Sequence, residues 1–218
     1  MSEFAPTPRS TVVRSRPRAC YDVATVHTIL DEAHFCTVAF VDGGQPVAIP
    51  INHWRIGEVM YFHGAPASRL MKALCSGAEV CVSATLVDGL VLARSAARHS
   101  MNYRSVVIFG RGREIVDPKE KRAALASFVD HLVPGRAAEV RAPTAGQLAG
   151  TAVAALSLIE ASAKVRTGGP NDEEADRALP VWAGVVPLRL TAGVPEPITG
   201  LDPSISLPAA LSTGGRTD

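Results

Sequence analysis

A cluster of polar and cationic side chains follows the strand-like segment that ends at His63 and Gly64. Shortly after it come Ser68, Arg69 and Lys72, in a segment with the composition of a short helix. The first turn of a helix offers free backbone N–H groups and the positive end of the helix dipole, which both attract anions. Arg and Lys add charge-assisted hydrogen bonds to phosphate oxygens. The spacing predicts a phosphate-binding site, and the alternative is a solvated helix face.

Other chemically useful residues form no recognisable catalytic or metal-binding pattern. His27, Asp31 and His34 share one face of a predicted helix, but no fourth metal ligand is evident, so a solvated face is expected. The segment 110–112, Gly-Arg-Gly, lies inside a predicted strand and lacks the third glycine of a dinucleotide fingerprint. His99 falls in a polar loop, where a structural or solvated role is expected. We predict no metal site and nominate no catalytic residue.

Hydrophobic periodicity and turn residues predict many antiparallel strands and few helices. Pro46 and Pro50 interrupt the second strand, so at least one of its edges lacks a full ladder of hydrogen bonds, which implies an edge strand or a bound ligand. Predicted helices cover 23–34, 67–76 and a segment that Asp117 caps; predicted strands cover 35–41, 47–55, 59–63, 80–86, 90–95, 103–116, part of 151–166, and 181–190. This order favours a mainly β, α+β fold: a small antiparallel barrel with peripheral helices.

Composition limits the partners and the compartment. The 218 residues carry 22 basic and 21 acidic side chains, a net charge of +1, which predicts neither a nucleic-acid nor a membrane partner. Hydrophobic residues make up 47% of the chain, enough for a sizeable core. Four cysteines without C-x-x-C spacing, no apolar leader and no apolar run of ~18 residues predict a cytoplasmic protein.

Composition also divides the chain into three parts. Residues 1–20 are rich in Pro, Arg and Ser and predict a solvated arm with little regular structure. Residues 21–190 contain the predicted helices and strands and form the barrel domain. Residues 191–218 are rich in Pro and Gly and predict a loosely packed tail.

The order of motifs resembles a known family. The residues that carry the resemblance are AIPINHWRIGEVMYFHGAPASRLMKAL, then DGLVLARSAARHSMNYRSVVIFGRGREIVD, with VWAGVVPL near the C-terminus. Together they resemble the pyridoxamine 5′-phosphate oxidase-like, FMN-binding split-barrel proteins, especially the nitroimidazole-resistance-type branch. The resemblance covers roughly residues 14–190. It implies a six-stranded antiparallel split barrel of Greek-key type, a homodimer, and one FMN at each end of the subunit interface.

The resemblance also implies the residues of the cofactor site. The flavin ring should lie along the backbone of β-strand residues, and the phosphate should follow His63 and Gly64. By position, the site residues are Ile49, Pro50, Ile51, Asn52, His63, Gly64, Ser68, Arg69, Lys72, Tyr103, Arg104, Ser105 and Trp182, the last one contributed by the partner subunit. Lys164 and Arg166 are further basic candidates.

One departure from the family bears on function. True pyridoxamine-phosphate oxidases end in a basic segment that binds the substrate phosphate, and this chain ends in LPAALSTGGRTD. Oxidation of pyridoxamine phosphate is therefore not expected. The leading hypothesis is an FMN-dependent oxidoreductase that acts on a small-molecule acceptor. The alternatives are a non-catalytic protein that binds or senses flavin, deazaflavin or haem, and an interaction protein whose pocket has lost its ligand.

Overall fold

Residues 2–212 are the part of the chain that the computed structural model describes, and they contain two antiparallel sheets. The strands are β1 (Ala19–Cys20), β2 (Phe35–Asp42), β3 (Gln45–Asn52), β4 (Trp54–Ile56), β5 (Val59–Gly64), β6 (Glu79–Leu92), β7 (Ser100–Arg111), β8 (Arg113–Glu114), β9 (Ala152–Ser157), β10 (Ala161–Arg166) and β11 (Gly184–Pro187). The helices are α1 (Val23–Glu32), α2 (Arg69–Cys75), α3 (Pro118–Leu132), α4 (Arg136–Glu139), α5 (Ala145–Ala149) and α6 (Ala209–Ser212).

Local signals in the sequence account for several boundaries. The Asp22 carboxylate accepts a hydrogen bond of 2.8 Å from the backbone N–H of Thr25 and so begins α1. Asp117 caps α3 in the same way. Gly43 and Gly44 have φ values of 56° and 79°, which suit glycine and close the hairpin between β2 and β3.

The large sheet has the strand order β1-β10-β7-β6-β2-β3, and β11 pairs with the far half of β6. The small sheet has the order β4-β5-β9-β8. Within the described residues no strand ladder joins the two sheets into one closed barrel, and their antiparallel arrangement confirms the mainly β, split-barrel expectation. Strand β3 lies at the edge of the large sheet, as its two prolines predicted.

Alternate residues of the large sheet face opposite environments. On the inner face Val38, Val82 and Ile108 are completely buried in the main hydrophobic core. The other face, which we call the outer face, is exposed or half-buried on its central strands. A second, smaller core contains Trp54 and Ile115 and lies between the small sheet and α3. The large sheet therefore has one side packed and one side available.

Several predicted boundaries were wrong. Residues 79–92 form one continuous strand, β6, with a register shift between Val87 and Gly89 where a hairpin turn was expected. Residues 151–166 form two strands, β9 and β10, instead of one. Helix α2 begins only at Arg69, so Pro66 precedes it. The last strand is shorter than predicted, and the final six residues of the expected tail lie outside the described part of the chain.

The N-terminal segment is not a solvated arm. Phe4 is 7% exposed and belongs to the main core, and its backbone N–H donates to the carbonyl of Tyr21. Arg9 forms ion pairs with Glu79 and Glu160 and lies over the ring of Phe109. For Arg9 the expectation of a solvated side chain failed because its partners, Glu79 and Glu160, are far away in the sequence and carry no local signal.

Candidate functional site

The edge strand β3 offers the first part of the candidate site. Its only ladder is with β2, so the other edge leaves backbone groups unpaired within the described structure. Ile49 and Ile51 pack against the main core, whereas Pro50 and Asn52 lie on the outer face. A flat ring that rests against this edge would find apolar carbons and free backbone groups together.

Helix α2 supplies a cationic cleft at the end of the β2–β3 hairpin. The Ser68 hydroxyl caps the helix by accepting a hydrogen bond of 3.2 Å from the N–H of Met71. Arg69 and Lys72 are exposed and line an open cleft of about 420 Å³. The guanidinium of Arg69 lies 3.8 Å from the carboxylate of Asp42. Such an exposed pair is weak, so an incoming phosphate can displace the carboxylate at small cost.

Gly64 and His63 lie on opposite faces of β5. A Cβ atom at Gly64 would lie 3.0 Å from the Met71 side chain, so this glycine lets α2 pack close to the strand. The His63 ring packs against Phe128, with ring centroids 4.5 Å apart, and burial lowers its pKa. His63 is therefore a neutral imidazole on the α3 side of the small sheet, and its buried Nδ1 has no hydrogen-bond partner in the described structure.

Arg104 is engaged by two carboxylates. Its guanidinium donates to Glu32 and to Asp88, with 2.8 Å between Nη2 and Oε1 of Glu32 and 2.7 Å between Nη2 and Oδ1 of Asp88. These hydrogen bonds raise the pKa of Arg104 and hold the pKa of Glu32 below its ordinary value. Arg104 thus joins α1 to the β6–β7 ribbon, and its charge is already balanced.

Tyr103 and Ser105 lie on the outer face of β7. They are half-buried, and the Ser105 hydroxyl donates to the carbonyl of Lys164 on the neighbouring strand. Arg166, opposite Tyr103, is 8% exposed and hydrogen-bonds Asn102 together with the carbonyls of the 168–169 loop. Tyr103, Ser105 and Lys164 therefore share one surface, whereas Arg166 is occupied by a structural role.

Trp182 lies apart from the other candidates. It precedes β11, is 64% exposed, and its ring covers Gly184, where a Cβ atom would approach to 2.9 Å. Strand β11 pairs with the half of β6 that extends away from β2 and β3. Within one chain Trp182 does not join the β3 and α2 groups, and its contact with a cofactor from the partner subunit stays a prediction.

The strand register aligns one residue of the edge strand β3 with one residue of each strand across to β10. Pro50, Thr37, Ser83, Val107 and Ser162 are direct neighbours across β3, β2, β6, β7 and β10, so all five share the outer face. Three members of this row, Thr37, Ser83 and Ser162, are small and polar. Alternation in β2 could have revealed this surface from the sequence, because its outward positions include the small residues Thr37 and Ala39.

No metal site is present among the described residues. His27 is 3.3 Å from Glu58, and Asp31 receives a hydrogen bond of 3.0 Å from the Nε of Arg55. His27 and Asp31 are thus engaged with different partners. No helix in this part of the chain is long and apolar enough to cross a membrane.

Comparison with known proteins identifies the family. The model described as "Pyridoxamine 5'-phosphate oxidase" matches residues 22–165. The chain belongs to this family. The resemblance of its motifs to such proteins is therefore confirmed. None of the curated proteins compared with the chain matches it significantly.

Three solved structures resemble the chain, two of them over nearly its whole length. A flavocytochrome from Azotobacter vinelandii is 42% identical, with a TM-score of 0.90 over 96% of this chain and 98% of its own. An FAD and heme binding protein from Mycobacterium smegmatis is 36% identical, with a TM-score of 0.87 over 91% and 97%. A 5-nitroimidazole antibiotic resistance protein from Bacteroides thetaiotaomicron shares the fold at 22% identity, with a TM-score of 0.56 over 67% and 86%.

Proposed function

We propose that this protein is a flavocytochrome that binds FAD and haem and passes electrons between a small-molecule reductant and an acceptor. The observation that carries the proposal is the near full-length likeness to a flavocytochrome and to an FAD and heme binding protein. The sequence predicted FMN, and we propose FAD in its place because the Mycobacterium smegmatis relative is named for that flavin. A bound flavin supplies hydride and electron transfer, and the chain supplies binding and orientation.

The cationic cleft and the edge strand suit a flavin. The exposed guanidinium of Arg69 and the ammonium of Lys72 face an open cleft, where they can bind a phosphate. Pro50 at the unpaired edge of β3 presents an apolar surface for the ring, and backbone groups beside it can bond the polar edge. The chain fits a phosphorylated flavin at this position.

If haem binds, His99 would be an imidazole able to hold its iron. Its Nδ1 lies 3.0 Å from the carbonyl oxygen of Ser95; because a carbonyl only accepts, Nδ1 carries the proton and Nε2 keeps a lone pair at the exposed surface. His53 already uses Nε2 at 3.0 Å from the carbonyl of Leu30 inside the core. His63 would need a proton on its buried Nδ1, which has no acceptor in the described structure. We assign the haem-binding role to His99 on this ground.

We also propose that two copies associate through the outer face of the large sheet. Phe35, Val41 and Met101 are 64%, 68% and 51% exposed on that face. Exposed apolar side chains on one flat sheet favour burial against a partner. Phe35→Glu should turn a dimer into a monomer in light scattering after size exclusion, whereas Ile159→Glu, at an equally exposed turn between β9 and β10, should not. A dimer unaffected by Phe35→Glu contradicts this interface.

An absorption spectrum of the freshly purified protein tests the cofactors. Flavin bands together with a Soret band are expected, and chromatography of the released flavin should identify FAD. A colourless protein that takes up neither group refutes the proposal. Reduction by NADH or NADPH, followed by reoxidation with an acceptor, separates an electron-transfer protein from a non-catalytic carrier or sensor.

The haem ligand has its own test. His99→Ala should shift or abolish the Soret band, whereas His63→Ala and His34→Ala, an exposed histidine after α1, should leave it unchanged. A wild-type Soret band in His99→Ala would remove that residue from the haem site. That result would not bear on whether the protein binds haem, which the absorption spectrum of the wild-type protein tests.

A further inference from the structure

The N-terminal segment covers a second cleft, to which none of the similar proteins gives a role. The cleft has a volume of about 270 Å³ and lies between residues 9–14 and the outer face of β7 and β10. Ser105 and Ser162 contribute hydroxyl groups to its floor, and Arg14 and Lys164 contribute cations to its sides. It is separate from the cleft at α2, which is lined by residues of α2 and of the β2–β3 hairpin.

Several contacts fix the roof of this cleft in place. At one end Arg9 pairs with Glu160, with 2.5 Å between Nη2 and Oε2. At the other end the hydroxyl of Tyr21 accepts a hydrogen bond of 2.9 Å from the N–H of Val12. Between them Ser10 is only 2% exposed. The segment is thus anchored on both sides by contacts within the chain.

Charges in and around the cleft leave a positive surplus. Arg9 and Arg111 balance Glu79 and Glu160, and the hydrogen bond from Arg9 holds the pKa of Glu160 below its ordinary value, so this carboxylate is ionised.

The other two cations that line the cleft have no such partner. Arg14 and Lys164 form no ion pair and no side-chain hydrogen bond within residues 2–212, so they add two uncompensated positive charges. The Ser162 hydroxyl, in a residue 6% exposed, also lacks a hydrogen bond in that part of the chain. Two free cations and an unused hydroxyl around one cavity are the chemistry that binds a phosphoryl group.

We propose that this cleft binds a phosphate or pyrophosphate group of a nucleotide. It cannot serve the same phosphate as Arg69, because Arg69 lies beside Asp42 on β2, and β10, which carries Ser162 and Lys164, is three strand spacings from β2, about 14 Å across the sheet. The phosphoryl group belongs either to the pyrophosphate of an FAD, which would then bind here in place of the Arg69 site because the joined phosphates of one FAD cannot occupy both clefts, or to a free nucleotide. The first source rests on the proposed function, and the second does not.

Titration of the cofactor-loaded protein with inorganic pyrophosphate and with ADP, followed by calorimetry, tests the site. Both probes should bind the wild-type protein or, where a bound FAD already fills the cleft, bind only after the flavin has been removed. Lys164→Ala and Arg14→Ala should each weaken binding about tenfold or more, since each removes a charge-assisted contact. Arg16→Ala is the matched control, because this arginine belongs to the same segment and does not line the cleft.

Flavin titrations identify the source of the phosphoryl group. If the cleft holds the pyrophosphate of FAD, Lys164→Ala weakens FAD binding and leaves FMN binding unchanged. If it holds a free nucleotide, both flavins keep their affinity and only ADP binding falls. Equal pyrophosphate affinity in wild type, Lys164→Ala and Arg14→Ala, or no binding of either probe with and without flavin, overturns the proposal. Neither result would affect the spectroscopic test for flavin and haem.

Discussion

The carboxylate of Asp42 competes with any phosphate that binds Arg69, so its neutralisation should tighten flavin binding. A phosphate at an ordinary hydrogen-bond distance from the guanidinium, ~2.8 Å, would lie about 6 Å from that carboxylate, because the two side chains are 3.8 Å apart. In water a unit charge pair at about 6 Å repels by about 0.7 kcal/mol, and the pyrophosphate of FAD, with about two charges in total, roughly doubles this figure.

Ionic screening reduces that repulsion. At physiological salt the Debye length is about 8 Å, which roughly halves the repulsion to about 0.7 kcal/mol. Asp42→Asn should therefore tighten flavin binding about threefold, and more at low salt. Arg69→Ala should do the opposite and weaken it roughly tenfold to a hundredfold, because it removes a charge-assisted contact.

Quenching of flavin fluorescence during titration of the flavin-free protein measures both effects. Titrations at low and at physiological salt separate the electrostatic part from any structural change. Glu174→Gln, which neutralises a carboxylate that is 84% exposed elsewhere on the surface, is the control. If Asp42→Asn fails to tighten binding at either salt concentration, the phosphate does not bind beside Asp42. If Arg69→Ala also leaves the affinity unchanged, the cleft at α2 is not the flavin site.

Three further changes test the scaffold around the site. Burial lowers the pKa of His53 to about 4, below the ordinary value of about 6.5. As the pH falls below about 6.5 the unfolded chain therefore binds a proton more readily than the folded protein, and between pH 7.5 and pH 5 the wild type should lose about 2 kcal/mol of unfolding free energy. His53→Gln should not show this loss in urea denaturation. Gly112→Ala should cost roughly 2–3 kcal/mol and weaken flavin binding, because its Cβ would lie 2.4 Å from the carbonyl oxygen of Leu74 in α2; Gly146→Ala, which meets nothing within 4 Å, should be tolerated in the same assays. Arg104→Ala should cost about 2 kcal/mol in the same denaturation experiment by leaving two carboxylates uncompensated, and an unchanged midpoint would contradict that account.

Local chemistry made part of the fold predictable. Asp22 and Asp117 predicted the starts of helices, because capping needs only a side chain and a backbone N–H a few residues away. The two prolines of β3 predicted an edge strand, because proline cannot donate to a strand ladder. In each case the cause and the effect lie within a few residues, so a single sequence contains the whole argument.

Long-range contacts decided the features that the sequence did not show. Residues 87–89 have the composition of a turn, yet the strand continues because Asp88 is held by Arg104 and Gly89 is packed under β11. Between β9 and β10 the chain turns without Gly or Pro, since the N–H of Leu158 donates to Glu58 and the carbonyl of Glu160 accepts from Phe109. No local pattern encodes such partners.

The same reasoning explains why the α2 cleft was predicted and the cleft under the N-terminal segment was not. Arg69 and Lys72 are neighbours in sequence, whereas Arg14 and Lys164 meet only after β10 pairs with β7. Their surroundings also differ: Arg69 faces a competing carboxylate, and Lys164 is half-buried beside hydroxyl groups. Because screening acts most strongly on exposed charges, phosphate affinity at Arg69 should fall more steeply with salt than pyrophosphate affinity at Lys164. Parallel titrations from low to physiological salt measure both slopes, and equal slopes would contradict the difference in exposure on which the two sites are distinguished.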